Sequence, residues 1–376
     1  MKLSDIVDRI NGNVDRFTTD LEYYIGGEHI DSNELEITRG GNLKENLGKL
    51  GFKFHFAFQD RDVIFMARNP HLRKAGMVMF SGLCSDASYI LRSKDENVIT
   101  QEFLAVQLQS DHFWDYCERT KVGSVNFANN WTSIANYEFE LPSIDKQKEI
   151  AKKVWAAYNL KKSYRKLLSA TQEMVKSQFI EMFGNYETNA NFGDLFSSAR
   201  NGANIKQGTI SGGIPITRIE TISEGEINRD KMGYAGIVDN TYSSYYLQDG
   251  DILVSHINSM KHIGKCALYQ RINDETIIHG MNLLCLRPYK DIVNPQYVTY
   301  LLRSSIMRKL ILDITKPAVN QASFTVKDLC KLKVMLPPIS EQEEFVTIVK
   351  QADKSEFELR KSIEAIDQVI KSLINN

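Results

Sequence analysis

An α+β fold is what the sequence predicts: two pseudo-symmetric α/β domains separated by an antiparallel pair of long coiled-coil helices. Three observations predict it. A motif recurs 195 residues further along the chain, two stretches of about 40 residues without Pro or Gly carry heptad-like apolar stripes, and short apolar runs of strand type precede helix-spaced segments in each copy.

The repeat comes first because it fixes the organisation. Leu141-Pro142-Ser143-Ile144-Asp145-Lys146-Gln147 returns as Leu336-Pro337-Pro338-Ile339-Ser340-Glu341-Gln342. The same offset joins Leu91-Arg92 to Leu286-Arg287, Gln101 to Gln296 and Ser110 to Ser305. Asp62-Val63-Ile64-Phe65 matches Asp251-Ile252-Leu253-Val254 at an offset of 189, so the loop after it is expected to be six residues longer in the second copy. The expected domains are 1–140, 141–185, 186–335 and 336–376, in the order domain, helix, domain, helix.

The helices follow from periodicity. In the first, Ile150, Val154, Leu168, Val175 and Met182 belong to a stripe stepping by fours and threes, interrupted by Lys161, Thr171 and Gln178. Leu359, Ile363, Ile366, Ile370 and Leu373 keep the rhythm in the second. Each begins after a proline, and the first stops at Gly184. An amphipathic helix of this length has to cover its stripe, and the other helix is the nearest match. Residues 141–185 carry a net charge of +5 and residues 336–376 of −3, which favours the mixed pair.

Within the domains, residues 62–65, 77–80, 251–255 and 283–286 read as strands, and helix-like spacing begins at Phe103 and Tyr297. The connecting loops are rich in side chains suited to nucleic acid, since Arg and Lys bond guanine edges or phosphates and Asn and Gln pair with adenine. In the first domain the candidates are Lys53, His55, Arg68, Asn69, His71, Arg73, Lys74, Asn129 and Asn130. The second offers Arg200, Asn201, Lys206, Arg218, Ser255, His256, Asn258 and Lys261, then His262, Lys265, Lys316, Asn320 and Gln321. Each such loop also has a bland reading as a solvated turn. Position within the repeat strengthens those after residues 62–65 and 251–255. Charge is uneven: −6 over residues 1–140 and +3 over 186–335, within a whole-chain balance of −1. An acidic first domain needs a local basic patch or a basic partner to hold DNA.

Catalytic patterns are missing. The sequence has no Gly-x-x-x-x-Gly-Lys-Ser/Thr phosphate loop, no Gly-x-Ser-x-Gly elbow and no Asn-Pro-Pro-aromatic turn, the nearest string being Asn69-Pro70-His71-Leu72. Seven histidines and five cysteines form no metal-ligand spacing, so no catalytic, cofactor-binding or metal residue is assigned. No stretch approaches the ~20 apolar residues of a membrane span, and the chain is expected to be cytoplasmic and free of membrane.

At this point the residues point to a family. The duplicated Leu-Pro-x-Ile-x-x-Gln start of a long helix, the segment Glu173 to Gly184 and the Asp-Ile-Leu strand after Gly250 resemble the specificity subunit of type I restriction-modification systems. The segment Gly212 to Ile222 makes the second domain closer to the family than the first. The resemblance implies two target-recognition domains that each read half of a split double-stranded DNA site, with the helix pair as spacer. It also implies two methyltransferase subunits and the restriction (motor) subunits as partners; S-adenosylmethionine, ATP and Mg belong to those partners, and this chain is non-catalytic. A recognition subunit of another adenine-methylation or phage-defence system, a stand-alone nuclease and a purely architectural coiled coil remain open alternatives. A neighbouring methyltransferase gene, metal-dependent cleavage and the lack of a cationic groove-sized surface would separate them.

Overall fold

Val63, Ile64 and Phe65 are all fully buried in succession, as are Ile252, Leu253 and Val254, because each strand is the inner strand of a sheet covered on both faces. The computed structural model describes residues 1–206, 208, 212–318 and 321–375. Contacts divide the chain into two compact units, Met1–Leu168 with Glu358–Asn376, and Ser169–Phe357.

In the first unit the central sheet runs Val7–Ile10, Ser88–Ser93, Val63–Met66, Ala75–Val78, all antiparallel, with Glu36–Ile37 added parallel at one edge. A second sheet, Gly41–Asn42, Tyr23–Ile25, Gly82–Ser85 and Phe54–Phe58, completes this unit. The second unit has Phe196–Asn201, Leu283–Pro288, Ile252–Ser255 and Cys266–Leu268, in the same order and again antiparallel. Three helices follow in each: Gln101–Gln107, Asp111–Thr120 and Trp131–Ala135, against Pro295–Arg303, Ser305–Ile314 and Val326–Cys330.

The duplication is therefore structural, but two details of its register differ from the sequence expectation. The hydroxyl of Ser110 caps its helix by accepting from Phe113 N, and the hydroxyl doing so in the second unit is Ser304, on Met307 N, so Ser110 corresponds to Ser304 rather than Ser305. Strand pairing sets Val63 opposite Met77 and Ile252 opposite Leu268. The loop after the inner strand is thus longer by only two residues, and the other four lie in the connection to the next strand, where turns absorb length without disturbing the ladder.

The recurring motif has a visible purpose. Gln147 is fully buried; its Nε2 donates to Val98 O at 2.8 Å and Pro142 O at 2.9 Å, while its Oε1 accepts from Thr100 N at 3.2 Å. Gln342 does the same with Ile292 O, Pro337 O and Asn294 N at 3.4, 2.8 and 2.8 Å. Each glutamine ties the start of a long helix to the loop that leads into its domain's helices.

The long helices, Ile144–Phe183 and Ile339–Asn375, are antiparallel in both units. In the first, Val154 and Tyr158 pack with Leu35 and Val106 beneath Ile370, Leu373 and Ile374, with Ile150 at the edge. Lys161, 5% exposed, meets Asp367 at 2.5 Å and Glu34 at 3.4 Å. In the second, Val175, Phe179 and Phe183 join Phe345, Val346, Val349 and Ala352 in the main core, with Met182 packed against it, and Gln172 donates to Glu356 at 3.0 Å. Leu168, Leu359, Ile363 and Ile366 are half-buried. The inward face runs through Tyr158, Phe179 and Phe183, one residue after the stripe read from the sequence at those turns, because large aromatics take the central places.

Candidate nucleic-acid interface

In the first unit the inner strand continues into a shaped loop. Ala67 N bonds Ala87 O, Asn69 N bonds Phe127 O, and Arg68 bridges Ala128, which pairs in turn with Val122. Asn69 and Arg73 take left-handed φ values of 53° and 48° around the turn Pro70–Leu72. Residues 122–128 thus form a hairpin tip lying on the loop, and Arg68 and His71 project from it as exposed side chains. Arg73 is held by Asp111 at 2.6 Å, Lys74 Nζ donates to Gly27 O at 2.5 Å, and Lys53 pairs with Asp86 at 2.8 Å. His55 is half-buried, with Nδ1 3.3 Å from Phe52 O. Asn130 is exposed but caps the helix Trp131–Ala135 through Ser133 N.

The second unit builds the same device from distant segments. Ile257–Asn258, which follow the inner strand directly, pair with Ala322–Ser323, and these pair with Lys316–Pro317. Asn258 and Lys316 therefore share one small sheet although almost sixty residues separate them, and Gln321 immediately precedes its strand Ala322–Ser323. Lys316 and Gln321 are exposed; Asn320 lies outside the described residues. Lys261 is exposed, His262 is half-buried, and Lys265 donates to Ser223 O at 2.8 Å. Arg200 donates to Ser244 O and lies 4.2 Å over the Tyr245 ring, and Arg218 donates to Gly208 O at 3.0 Å. Asn201 and Lys206 are exposed.

Three candidates are corrected. Asn129 is 1% exposed and spends its amide on Cys117 O and Thr120 Oγ1, so it anchors the hairpin from beneath. Ser255 and His256 are buried at 1% and 6%, since they extend the inner strand into the core. Burial pushes His256 down to about 4, against an opposing backbone bond with Asn282. None of these three reaches a surface. Conversely, Lys121, beside the hairpin of the first unit and 4.6 Å over the Phe127 ring, escaped notice. It pairs with Glu118 at 2.6 Å, and at the structural register the counterpart of Lys316 is Val122, which pairs with Ala128 as Lys316 does with Ser323, so the repeat itself carries no signal for Lys121.

The described residues hold no group of three or more His, Cys, Asp or Glu placed to bind a metal, and no helix is long and apolar enough to cross a membrane. What the fold defines is a duplicated mixed α/β protein with a paired-helix element and a hairpin-backed loop in each half. The chain belongs to the type I restriction modification DNA specificity domain family, whose model matches residues 1–168 and again 187–368.

Over 182 residues, 48% of this chain, it is 42% identical to a Methanocaldococcus jannaschii protein assigned as the MjaX type I restriction enzyme specificity subunit, and the match spans only 43% of that protein. Over 319 residues it is 23% identical to the EcoKI specificity subunit of Escherichia coli K12, covering 77% of this chain and 68% of the relative. Among solved structures, a chain of a type I R-M system, described for its complex assembly and conformational transition, aligns with a TM-score of 0.61 at 16% identity, over 100% of this chain and 95% of the other. The S subunit of M. genitalium aligns at 0.55 and 12% identity, over 100% and 94%. At such identities these two likenesses speak to the fold.

Proposed function

We propose that this chain reads a bipartite double-stranded DNA target and scaffolds the methyltransferase and restriction subunits of a type I enzyme. Residues 1–140 and 186–335 serve as the target-recognition domains, and residues 141–185 and 336–376 as the spacer helices. The observation that carries the reading is the repeated loop-plus-ribbon, Arg68 with 122–128 in one unit and Ile257–Asn258 with the paired Lys316–Pro317 and Ala322–Ser323 in the other. A two-stranded ribbon with Lys, Asn and Gln side chains suits the width of a major groove. The chain itself is non-catalytic and carries no cofactor; S-adenosylmethionine, ATP and Mg act on the partners, in the cytoplasm.

Partner docking has support on the helices. Leu160 and Leu167 in the first unit, and Met174 and Ile180 in the second, are each 45 to 54% exposed on the first long helix. Exposed apolar side chains on an amphipathic helix suit coverage by another protein's helix. Co-expression with a type I methyltransferase subunit and mapping of methylated adenines tests the proposal. A split motif with a fixed unread gap is expected, and an unbroken motif, or none dependent on this chain, overturns it. Gel shift of the chain alone should show weak, salt-sensitive binding, with specificity appearing on addition of the methyltransferase.

A further inference from the structure

In the second unit, beneath the loop 259–265, lies a pocket of about 320 Å³ lined by Lys261, Lys265, Arg303 and Arg308. Among the described residues none of these four has a salt-bridge partner. The one carboxylate in the lining, Glu224, is occupied by Lys231 at 2.5 Å. Arg303 and Arg308 reach backbone carbonyls, those of Gly225 and Cys266 and those of Met260, Lys261 and Ile263, and such contacts orient a guanidinium without neutralising it. Burial first, and then the charges of Lys265, Lys261 and Arg308, hold the His262 ring toward its neutral form. Four converging cations repel one another unless an anion sits among them.

The first unit lacks this arrangement at the corresponding positions. There Gln109 Nε2 donates to Ala75 O at 2.7 Å and Glu34 O at 3.2 Å, which is the carbonyl clamp of Arg303 without its charge. The place of Arg308, four residues beyond the capping serine, is held by the buried Trp114. The cations that remain are Lys74 and Arg73, and Asp111 neutralises the latter.

We propose that this pocket grips a backbone phosphodiester of the bound duplex, so that the second unit anchors DNA by charge and the first does not. Arg303 and Arg308 are thereby added to the interface, Arg308 also positioning the loop that carries Lys261. The inference rests on the DNA-binding reading above.

The test measures binding of the full chain to several unrelated duplexes across a salt series, comparing wild type with Lys261→Gln and Arg303→Gln. Lys261 is exposed and Gln is the residue that does the clamping in the first unit, so both variants should keep the fold, checked by thermal unfolding. The expected result is a loss of affinity by the same factor on every duplex, with the slope of log affinity against log salt reduced by about one per variant. Unchanged affinity and slope overturn the pocket while leaving DNA binding intact. A loss confined to one sequence overturns its phosphate role. Inorganic phosphate and ATP are titrated alongside: saturation of the pocket by either, with duplex binding undisturbed, overturns the DNA assignment. Wild-type chain that binds no duplex at low salt overturns both readings.

Discussion

Arg92 grips the buried carboxylate of Asp62 with two parallel hydrogen bonds, Nε to Oδ1 at 2.7 Å and a terminal nitrogen to Oδ2 at 2.9 Å. Asp62 also accepts Gln59 N at 2.8 Å, so the pair locks the turn leading into the inner strand to the neighbouring strand. Arg287 and Asp251 repeat the arrangement at 2.8 and 2.7 Å, with Gln248 N in the third place. Asp62→Ala strands a guanidinium and a turn amide, and should cost about 3 kcal/mol. Hydrogen exchange should show the loss in the first unit alone, and Asp251→Ala the mirror result. Equal loss of protection in both units after a single substitution would count against the two units being separately stabilised.

The buried glutamines make a sharper case. Gln147→Ala removes the partner of the buried Thr100 amide, worth about 1–3 kcal/mol when left unmade, and of two part-buried carbonyls, those of Val98 and Pro142. The helix start at Ile144 should fray and the urea midpoint should fall. Gln147→Glu keeps the acceptor for Thr100 N but sets a carboxylate against two carbonyls, so it should rescue little. Recovery of wild-type stability by Glu would show that the donor bonds carry no weight.

Much of this architecture was legible because the repeat records it: Leu-Pro-x-Ile-x-x-Gln is the sequence imprint of one buried side chain with three partners, and Leu-Arg that of the Arg–Asp pair. The interface was harder to read. Residue type alone placed Asn129, Ser255 and His256 with Arg68 and Lys261, although the first three continue a strand or support a hairpin from within. A one-dimensional sequence does not tell a polar side chain facing water from one satisfying a buried turn. Nor did the pairing of Ile257–Asn258 with Ala322–Ser323 have a local signal, since it joins loops from opposite ends of the domain. The hairpin 122–128 has no charged marker in the sequence either, since at the structural register Lys316 falls on Val122.

Acid should weaken the second unit first. His256 and His279 are 6% and 2% exposed, and burial holds both near 4, below the usual 6.5. For His279 the Leu283 carbonyl and Asp251 oppose that shift, while Arg200 and His256 add to it. The unfolded chain therefore takes up protons before the folded one. Stability is complete above about pH 6.5 and declines as the pH falls toward 4, by roughly 3 kcal/mol per histidine at the limit. Hydrogen-exchange protection of the sheet around Leu283–Pro288 should drop between pH 7 and 5, and a double His256→Gln, His279→Gln variant should flatten that slope. Protection that does not change with pH would exclude neutral buried histidines.

Asp111→Asn should move stability and DNA affinity in opposite directions. Its carboxylate binds Arg73 at 2.6 Å and lies 3.6 Å from Lys371, its backbone amide donates to Asn375 Oδ1 at 2.7 Å, and the Arg73 hydrogen bond leads in holding its pKa below the usual range. Asp111→Asn leaves the backbone bond in place and removes the charge. Because both side chains of the Arg73 pair are about a third exposed, the stability cost should stay near 1 kcal/mol. Arg73, released on the loop that also carries Arg68 and His71, then becomes available to phosphate, and the local charge rises by one. Affinity of the full chain for unselected duplex at low salt should increase several-fold, with a steeper salt dependence. If the variant instead binds DNA as the wild type does, while its exchange protection falls as expected, this loop does not face the duplex and the interface of the first unit must be sought on the hairpin 122–128 alone.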